Sequence, residues 1–219
     1  MTTIAVIGAG HIGRNFSLGA IAKGYEIVIA NNSGPETIAD LVEELGPSAT
    51  AATAADAADA GAFALLAIPL TSARSVPAEP LGGKIVLTTC NYFAKRDGPI
   101  AEIDSGEHTV PQYIQAHLAT SKVVRAFNHL DAASIVSDGE PEGTPNRRAL
   151  GYAGDDEAAK TVAADLYNKF GFDPVDVGGL AEAWRLDVDQ PTFVVRQNAD
   201  ELRANLAKAQ RTRQLTGGG

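Results

Sequence analysis

An unbroken apolar run, Thr3 to Ile7, passes directly into G-A-G-H-I-G at residues 8–13, and no other feature limits the fold of this chain so strongly. An apolar run of this length without alternation reads as a strand buried on both faces. The glycines then open a segment in which Ile12, Phe16, Gly19 and Ala20 share one helical face, and Gly24 ends it. Tyr25 to Ala30 predicts a second buried strand. Strand, glycine turn, helix and strand make a parallel βαβ unit, which is stable only inside a sheet with helices on both faces.

The alternation continues. Pro35 suits the first turn of a helix carrying Ile38, Leu41, Val42 and Leu45 at helical spacing. A short strand near 48–50, an Ala-rich helix ending near Ala60, and strands at 62–68 and 84–89 follow. Next come a helix around 110–118 and a strand at 122–127. The stretch D-G-E-P-E-G-T-P-N at 138–146 is turn chemistry and predicts an exposed loop between two halves. Beyond it lie a strand at 148–153, a helix with Val162, Leu166 and Phe170 on one face, and a strand at 172–177 that extends the same sheet. Asn198 and Glu201 have the spacing of a capping box at the start of a last helix. The expectation is an α/β, doubly wound Rossmann fold with a mostly parallel sheet and a small C-terminal helical portion. Its domains are 1–178, binding NAD(P), and 179–219, a helical extension.

Composition removes several function classes. The net charge of −9 disfavours nucleic acid and anionic membrane surfaces as partners, since both present phosphates. A single cysteine, Cys90, excludes an internal disulfide framework and a cysteine metal cluster. The opening M-T-T-I-A-V-I-G-A-G shows no basic or long apolar leader, and no later run reaches the length of a membrane span, so a cytoplasmic protein is expected.

Each glycine of the 8–13 run has its own task. Gly8 allows the tight turn out of the strand, Gly10 lets a pyrophosphate approach the backbone, and Gly13 lets helix and strand pack together. Amides near His11 and Ile12, at the positive end of the helix, face the phosphates. A bare GxGxxG is a weak signal, and the flanking strands and amphipathic helix make it a dinucleotide signature. Proteins restricted to NAD place Asp or Glu after the second strand, whereas this chain has Asn31, Asn32 and Ser33, donors without charge. That favours NADP(H), with NAD as the alternative. These are also ordinary turn residues.

Later strands end in further candidates. Ile68 and Pro69 would wall the ribose and nicotinamide, against the plainer reading of a proline terminating a strand. Asn91 and Asn128 would reach into the same crevice, against loop capping. Asn128 and His129 are the candidate catalytic residues, with His129 the proton donor to a carbonyl or imine, against a structural histidine. His108 and His117 have less support, and Cys90 reads as a small core residue. Residues 91–107 look like an insertion serving as a lid or oligomer contact. Trp184, Arg185 and Asp187 are placed to cap a substrate pocket, and Arg203, Lys208, Arg211 and Arg213 read as a solvated helix face.

Taken together, the chain resembles the F420-dependent NADP oxidoreductases and their bacterial dinucleotide-binding relatives. The resemblance runs through V-I-G-A-G-H-I-G at 6–13, A-N-N-S-G-P-E at 30–36, A-I-P at 67–69, V-V-R-A-F-N at 123–128 and G-F-D-P-V-D-V-G at 171–178. It implies NADP(H) binding with hydride transfer to a second redox molecule, coenzyme F420 or a flavin, and a dimeric or larger assembly. Two positions depart from the pattern. Many relatives read N-S-R-G-P-E where this chain has Asn32 and Ser33, and some deazaflavin-reducing members have His at the position of Asn128. Two alternatives therefore stand beside the leading one: an NADPH-dependent reductase of a small carbonyl or imine, and a non-catalytic NAD(P)-binding sensor or redox-partner subunit.

Overall fold

A computed structural model describes residues 1–211; Arg213 and the closing glycines 217–219 lie outside the described residues. The strands are β1 (Thr3–Ile7), β2 (Glu26–Ala30), β3 (Ala49–Ala51), β4 (Phe63–Leu66), β5 (Ile85–Thr88), β6 (Lys122–Arg125), β7 (Ala149–Gly154) and β8 (Asp173–Gly178). They form one sheet in the order β3-β2-β1-β4-β5-β6-β7-β8. The first six run parallel, β7 is antiparallel to β6, and β8 is parallel to β7. The order 3-2-1-4-5-6 is that of the doubly wound dinucleotide fold.

The helices are α1 (His11–Ala22), α2 (Ala39–Leu45), α3 (Ala54–Ala60), α4 (Ala94–Asp97), α5 (Ala101–Asp104), α6 (Val110–His117), α7 (Ser134–Ser137), α8 (Glu157–Phe170) and α9 (Ala199–Lys208). Side chains along a strand point alternately to its two faces, and β1 feeds two cores in that way. Ile4 and Val6 pack with Phe16, Phe127 and Phe170. Ala5 and Ile7 pack with Ala57, Leu66 and Ile114 on the opposite face. The rings of Phe16, Phe127, Phe170 and Tyr167 lock α1 and α8 together, with Phe127 4.6 Å from Tyr167 and 5.3 Å from Phe16. Capping boxes close the N-termini of α6, from Thr109 and Gln112, and of α9, from Asn198 and Glu201 as the spacing predicts. Gly171, at φ 94°, ends α8 in the left-handed conformation that lets the chain turn into β8.

Two details differ from the sequence expectations. The helix after Pro35 starts as a 3-10 turn, Pro35–Ile38, and becomes α-helical only at Ala39. The fourth strand stops at Leu66 and the sixth at Arg125, each before its expected end. The halves also run in opposite directions. Between β6 and β7 the chain offers only the four-residue α7 and the mostly exposed loop 138–146. A parallel return needs a crossover element lying along the sheet, so β7 pairs antiparallel instead. Residues 180–186 form a 3-10 helix, and Leu186, Leu202 and Leu206 pack on Ala149 and Val175. Among the described residues no helix is long and apolar enough to cross a membrane.

Candidate functional site

The residues singled out at strand ends fall along one edge of the sheet, in sheet order. Asn31–Ser33 follow β2, Gly8 follows β1, Ile68 and Pro69 follow β4, Asn91 follows β5, and Asn128 follows β6. With neighbouring strands about 4.8 Å apart, the row is roughly 19 Å long.

At one end the site is made of backbone. Gly8 has φ 118° and donates its N–H to Ala30 O at 2.8 Å; a Cβ there would strike the Ala67 carbonyl and meet Ile68. A Cβ on Gly13 would strike the carbonyl oxygen of Gly8, which is how closely α1 sits on the turn. Gly10 is exposed, and a Cβ there would meet nothing within 4 Å. It is also the N-cap of α1 and supplies no side chain to the first turn. Gly8 and Gly13 are therefore glycines for packing, while Gly10 leaves a bare cradle at a positive helix end. Such a cradle fits a diphosphate. His11 is exposed and Ile12 half-buried beside it.

After β2, Asn31 is spent on the loop itself: Oδ1 accepts from Ser33 N–H (3.1 Å) and Nδ2 donates to Thr37 Oγ1 (2.7 Å). Asn32 and Ser33 are exposed, with Ser33 Oγ donating to Asn32 Oδ1 at 3.3 Å. Residues 31–33 include no cation. Arg14 of α1 lines a shallow groove of about 350 Å³ together with Gly10, His11 and Asp40, and pairs with Glu44.

At the other end the site is made of side chains. Arg125, fully buried at the end of β6, donates from Nη1 to Asp187 Oδ1 (2.6 Å) and from Nη2 to Asn91 Oδ1 (2.9 Å). Asn128 Nδ2 donates to the same Asn91 oxygen (3.1 Å) and to Leu186 O (2.8 Å), while Asn91 Nδ2 donates to Asn128 O (2.7 Å). Asn128 Oδ1 and Arg125 Nε are buried without a hydrogen-bond partner. Burial pushes the Asp187 carboxyl up, against the pull of Arg125. Phe127 makes this network possible by turning the chain at φ 53°, its N–H donating to the Tyr167 hydroxyl at 2.7 Å. A left-handed aromatic residue of this kind persists only where its surroundings hold it.

His129 does not stand where a proton donor is needed. It is fully buried, Nε2 accepts from Gly151 N–H (2.9 Å), and Nδ1 lies 3.2 Å from Thr192 O. Both nitrogens are engaged by backbone, and burial lowers the pKa from 6.5 to about 4, so the ring stays neutral and structural. Cys90 is a buried thiol against Ile68 O at 3.3 Å, pushed up by burial. His117 Nε2 lies 2.8 Å from Val76 O.

Next to the side-chain end lies a cavity of about 280 Å³. The 91–107 segment supplies one wall, through Tyr92 and Asp104, and Trp184 and Asp187 supply the other. Thr109 Oγ1 donates to Leu180 O at 2.8 Å and staples the two walls. His108, which had less support in the sequence, lines this cavity with its Nδ1 buried and unpartnered. Arg125 lies within V-V-R-A-F-N at 123–128. The available signal was a charged residue closing an otherwise apolar strand. Among the described residues no group of three or more His, Cys, Asp and Glu could hold a metal ion.

Residues 3–92, which carry the glycine cradle and the edge as far as Asn91, match the family described as NADP oxidoreductase, coenzyme F420-dependent. The chain belongs to this family. Its NADP oxidoreductase relatives include a candidate F420-dependent NADP reductase of Arthrobacter sp. FB24. The chain is 25% identical to that structure, with TM-score 0.72, covering 84% of this chain and 87% of that one. A hypothetical protein of Sinorhizobium meliloti, SMa0349, is 30% identical with TM-score 0.78, covering 91% of this chain and 97% of that one. Metalloreductase STEAP3 of Rattus norvegicus is 25% identical over 180 residues, 82% of this chain and 34% of that protein. The chain spans only 34% to 39% of the length of the curated relatives it matches.

Proposed function

We propose that this protein is an NADP(H)-dependent oxidoreductase that moves hydride between NADP(H) and a second redox molecule at the carboxyl edge of its sheet. The observation that carries the reading is the open space over Gly10 at the uncapped start of α1, in line with a row of polar strand ends. Gly8 to Gly13 would hold the pyrophosphate, with amides of His11 and Ile12 donating. Asn32 and Ser33 would take the 2′-phosphate. Ile68 and Pro69 would wall the ribose, and Asn91 and Asn128 would meet the nicotinamide end.

When bound, the dinucleotide supplies the hydride chemistry; the chain's residues position it and keep water away. Arg125 holds Asn91 at a fixed angle, and Asp187 neutralises that buried guanidinium. Because His129 is neutral and engaged at both nitrogens, it supplies no proton to an acceptor. The family description supports a deazaflavin or flavin as second substrate, and the side-chain cavity supports a small carbonyl or imine. A dimer in the cytoplasm belongs to the same proposal, supported by the family resemblance and the single cysteine.

The test is to titrate NADPH and NADH side by side and to follow NADPH oxidation with a deazaflavin, a flavin, and carbonyl and imine panels. Tighter NADPH binding and turnover with one acceptor class are expected. No binding of either dinucleotide overturns the reading, and tight NADPH binding with no acceptor reduced makes the chain a sensor.

A further inference from the structure

Of the two asparagines at the side-chain end, only one has a polar group left for a ligand. Asn128 is 3% exposed and spends both N–H groups of Nδ2, one on Asn91 Oδ1 (3.1 Å) and one on Leu186 O (2.8 Å). Asn91 is half-buried. Its Oδ1 receives two donors, Arg125 Nη2 (2.9 Å) and Asn128 Nδ2, and an amide oxygen has two lone pairs, so no acceptor is left over. Its Nδ2 carries two N–H groups, of which one goes to Asn128 O (2.7 Å). The other has no acceptor among the described residues.

This amide cannot be turned over. Reversed, it would set its NH2 against two donors and its oxygen against the Asn128 carbonyl, exchanging every one of these hydrogen bonds for a repulsion. Arg96 Nη2 fixes the backbone of the same residue, donating to Asn91 O at 3.0 Å. Arg125 enforces the orientation with a charge: its guanidinium is fully buried, and its other arm, Nη1, is anchored on Asp187 Oδ1 (2.6 Å). A charged donor on the amide oxygen polarises the group and strengthens its remaining N–H. Asn91 follows β5, two strand spacings or about 10 Å along the edge from the glycine turn after β1. In the oxidoreductase proposed above, the nicotinamide riboside lies there.

We infer that Asn91 presents a donor and no acceptor to the crevice, that this N–H holds an oxygen of the nicotinamide riboside, and that Arg125 is the positioning residue that sets its polarity. The inference rests on the proposed function and narrows it: of the two asparagines, Asn91 makes the contact and Asn128 belongs to the lock. The oxygen is a ribose hydroxyl or the carboxamide C=O, which offer the N–H the same acceptor.

Calorimetry compares NADPH with adenosine 2′,5′-bisphosphate, which reaches the glycine cradle and lacks the nicotinamide riboside. Asn91→Asp keeps the shape of the side chain and the acceptor for Arg125 and Asn128, and removes the N–H. It should bind NADPH about tenfold more weakly, the equivalent of one hydrogen bond, and the bisphosphate as wild type does. Arg125→Lys keeps a buried cation beside Asp187 and has no second arm for Asn91, so a loss of about fivefold for NADPH alone is expected. The double variant should bind NADPH no more weakly than Asn91→Asp, because Arg125 acts through Asn91. In wild-type protein thio-NADP⁺, with sulfur for the carboxamide oxygen, tells the two oxygens apart: weaker binding than NADP⁺ assigns the N–H to the carboxamide, and equal binding assigns it to the ribose.

NADPH affinity of Asn91→Asp within about twofold of wild type overturns the inference, as does an equal loss for the bisphosphate, which places the change in the fold and not at this atom. Additive losses in the double variant overturn the role of Arg125. Wild-type protein that binds no NADPH overturns the oxidoreductase reading itself, whereas wild-type binding with Asn91→Asp unaffected overturns only the assignment of this N–H.

Discussion

The two ends of the crevice are built on opposite plans. The β1–α1 end is defined by what is missing: no side chain on Gly10, and glycines at 8 and 13 where a Cβ would strike backbone. The β6 end is defined by side chains drawn together from Asn91, Arg125, Asn128 and Asp187, as much as 96 residues apart in sequence. A backbone cradle is indifferent to what lies beyond the diphosphate, and serves any dinucleotide protein of this fold. A side-chain network can change its partner by exchanging one residue. On the function proposed above, the difference puts cofactor binding in a local turn and substrate choice in long-range packing.

The largest effect should come from breaking the packing part of the cradle. Gly13→Leu places a side chain against the Gly8 carbonyl, which is backbone and cannot rotate away. A loss of about 4 kcal/mol or more in urea unfolding, with or without an intact site, is expected. Arg125→Met attacks the opposite end. It leaves the Asp187 carboxylate without its buried partner and the Asn91 oxygen without its strongest donor, for a loss of roughly 3 kcal/mol by the same measurement. Should that variant be as stable as wild type, the network is not the organising feature described above.

Gly10→Leu separates binding from stability. The site is open, so unfolding free energy should stay within about 1 kcal/mol of wild type while NADPH affinity falls roughly 100-fold by calorimetry. Unchanged affinity would remove the cradle from the binding site. The smallest effect concerns His129, through pH. Its pKa is held down at about 4 in the fold, against 6.5 when free. Between those values the unfolded chain takes up a proton that the folded chain refuses, so stability is full above about pH 6.5 and declines as pH falls toward 4. The decline amounts to roughly 2 kcal/mol by pH 5. His129→Gln should flatten that part of the pH profile; an unaltered slope would place the titration elsewhere.

What the residues by themselves determined is local. The apolar run Thr3–Ile7, the glycine spacing, the capping box at Asn198 and the turn chemistry at 138–146 act through neighbours within a few positions, so strand, turn and helix order could be read directly, and with them the fold class and the dinucleotide signature. The edge positions Ile68, Asn91 and Asn128 followed too, because a parallel sheet brings the ends of its strands to one side. Only the tertiary structure decided which histidine is buried with both nitrogens engaged and which lines a cavity. The same holds for the direction of β7 and for the embrace of Arg125 by Asp187 and Asn91. Those outcomes depend on which distant segments share a face and on how much water each polar group loses there. Neither quantity is carried by spacing along the chain.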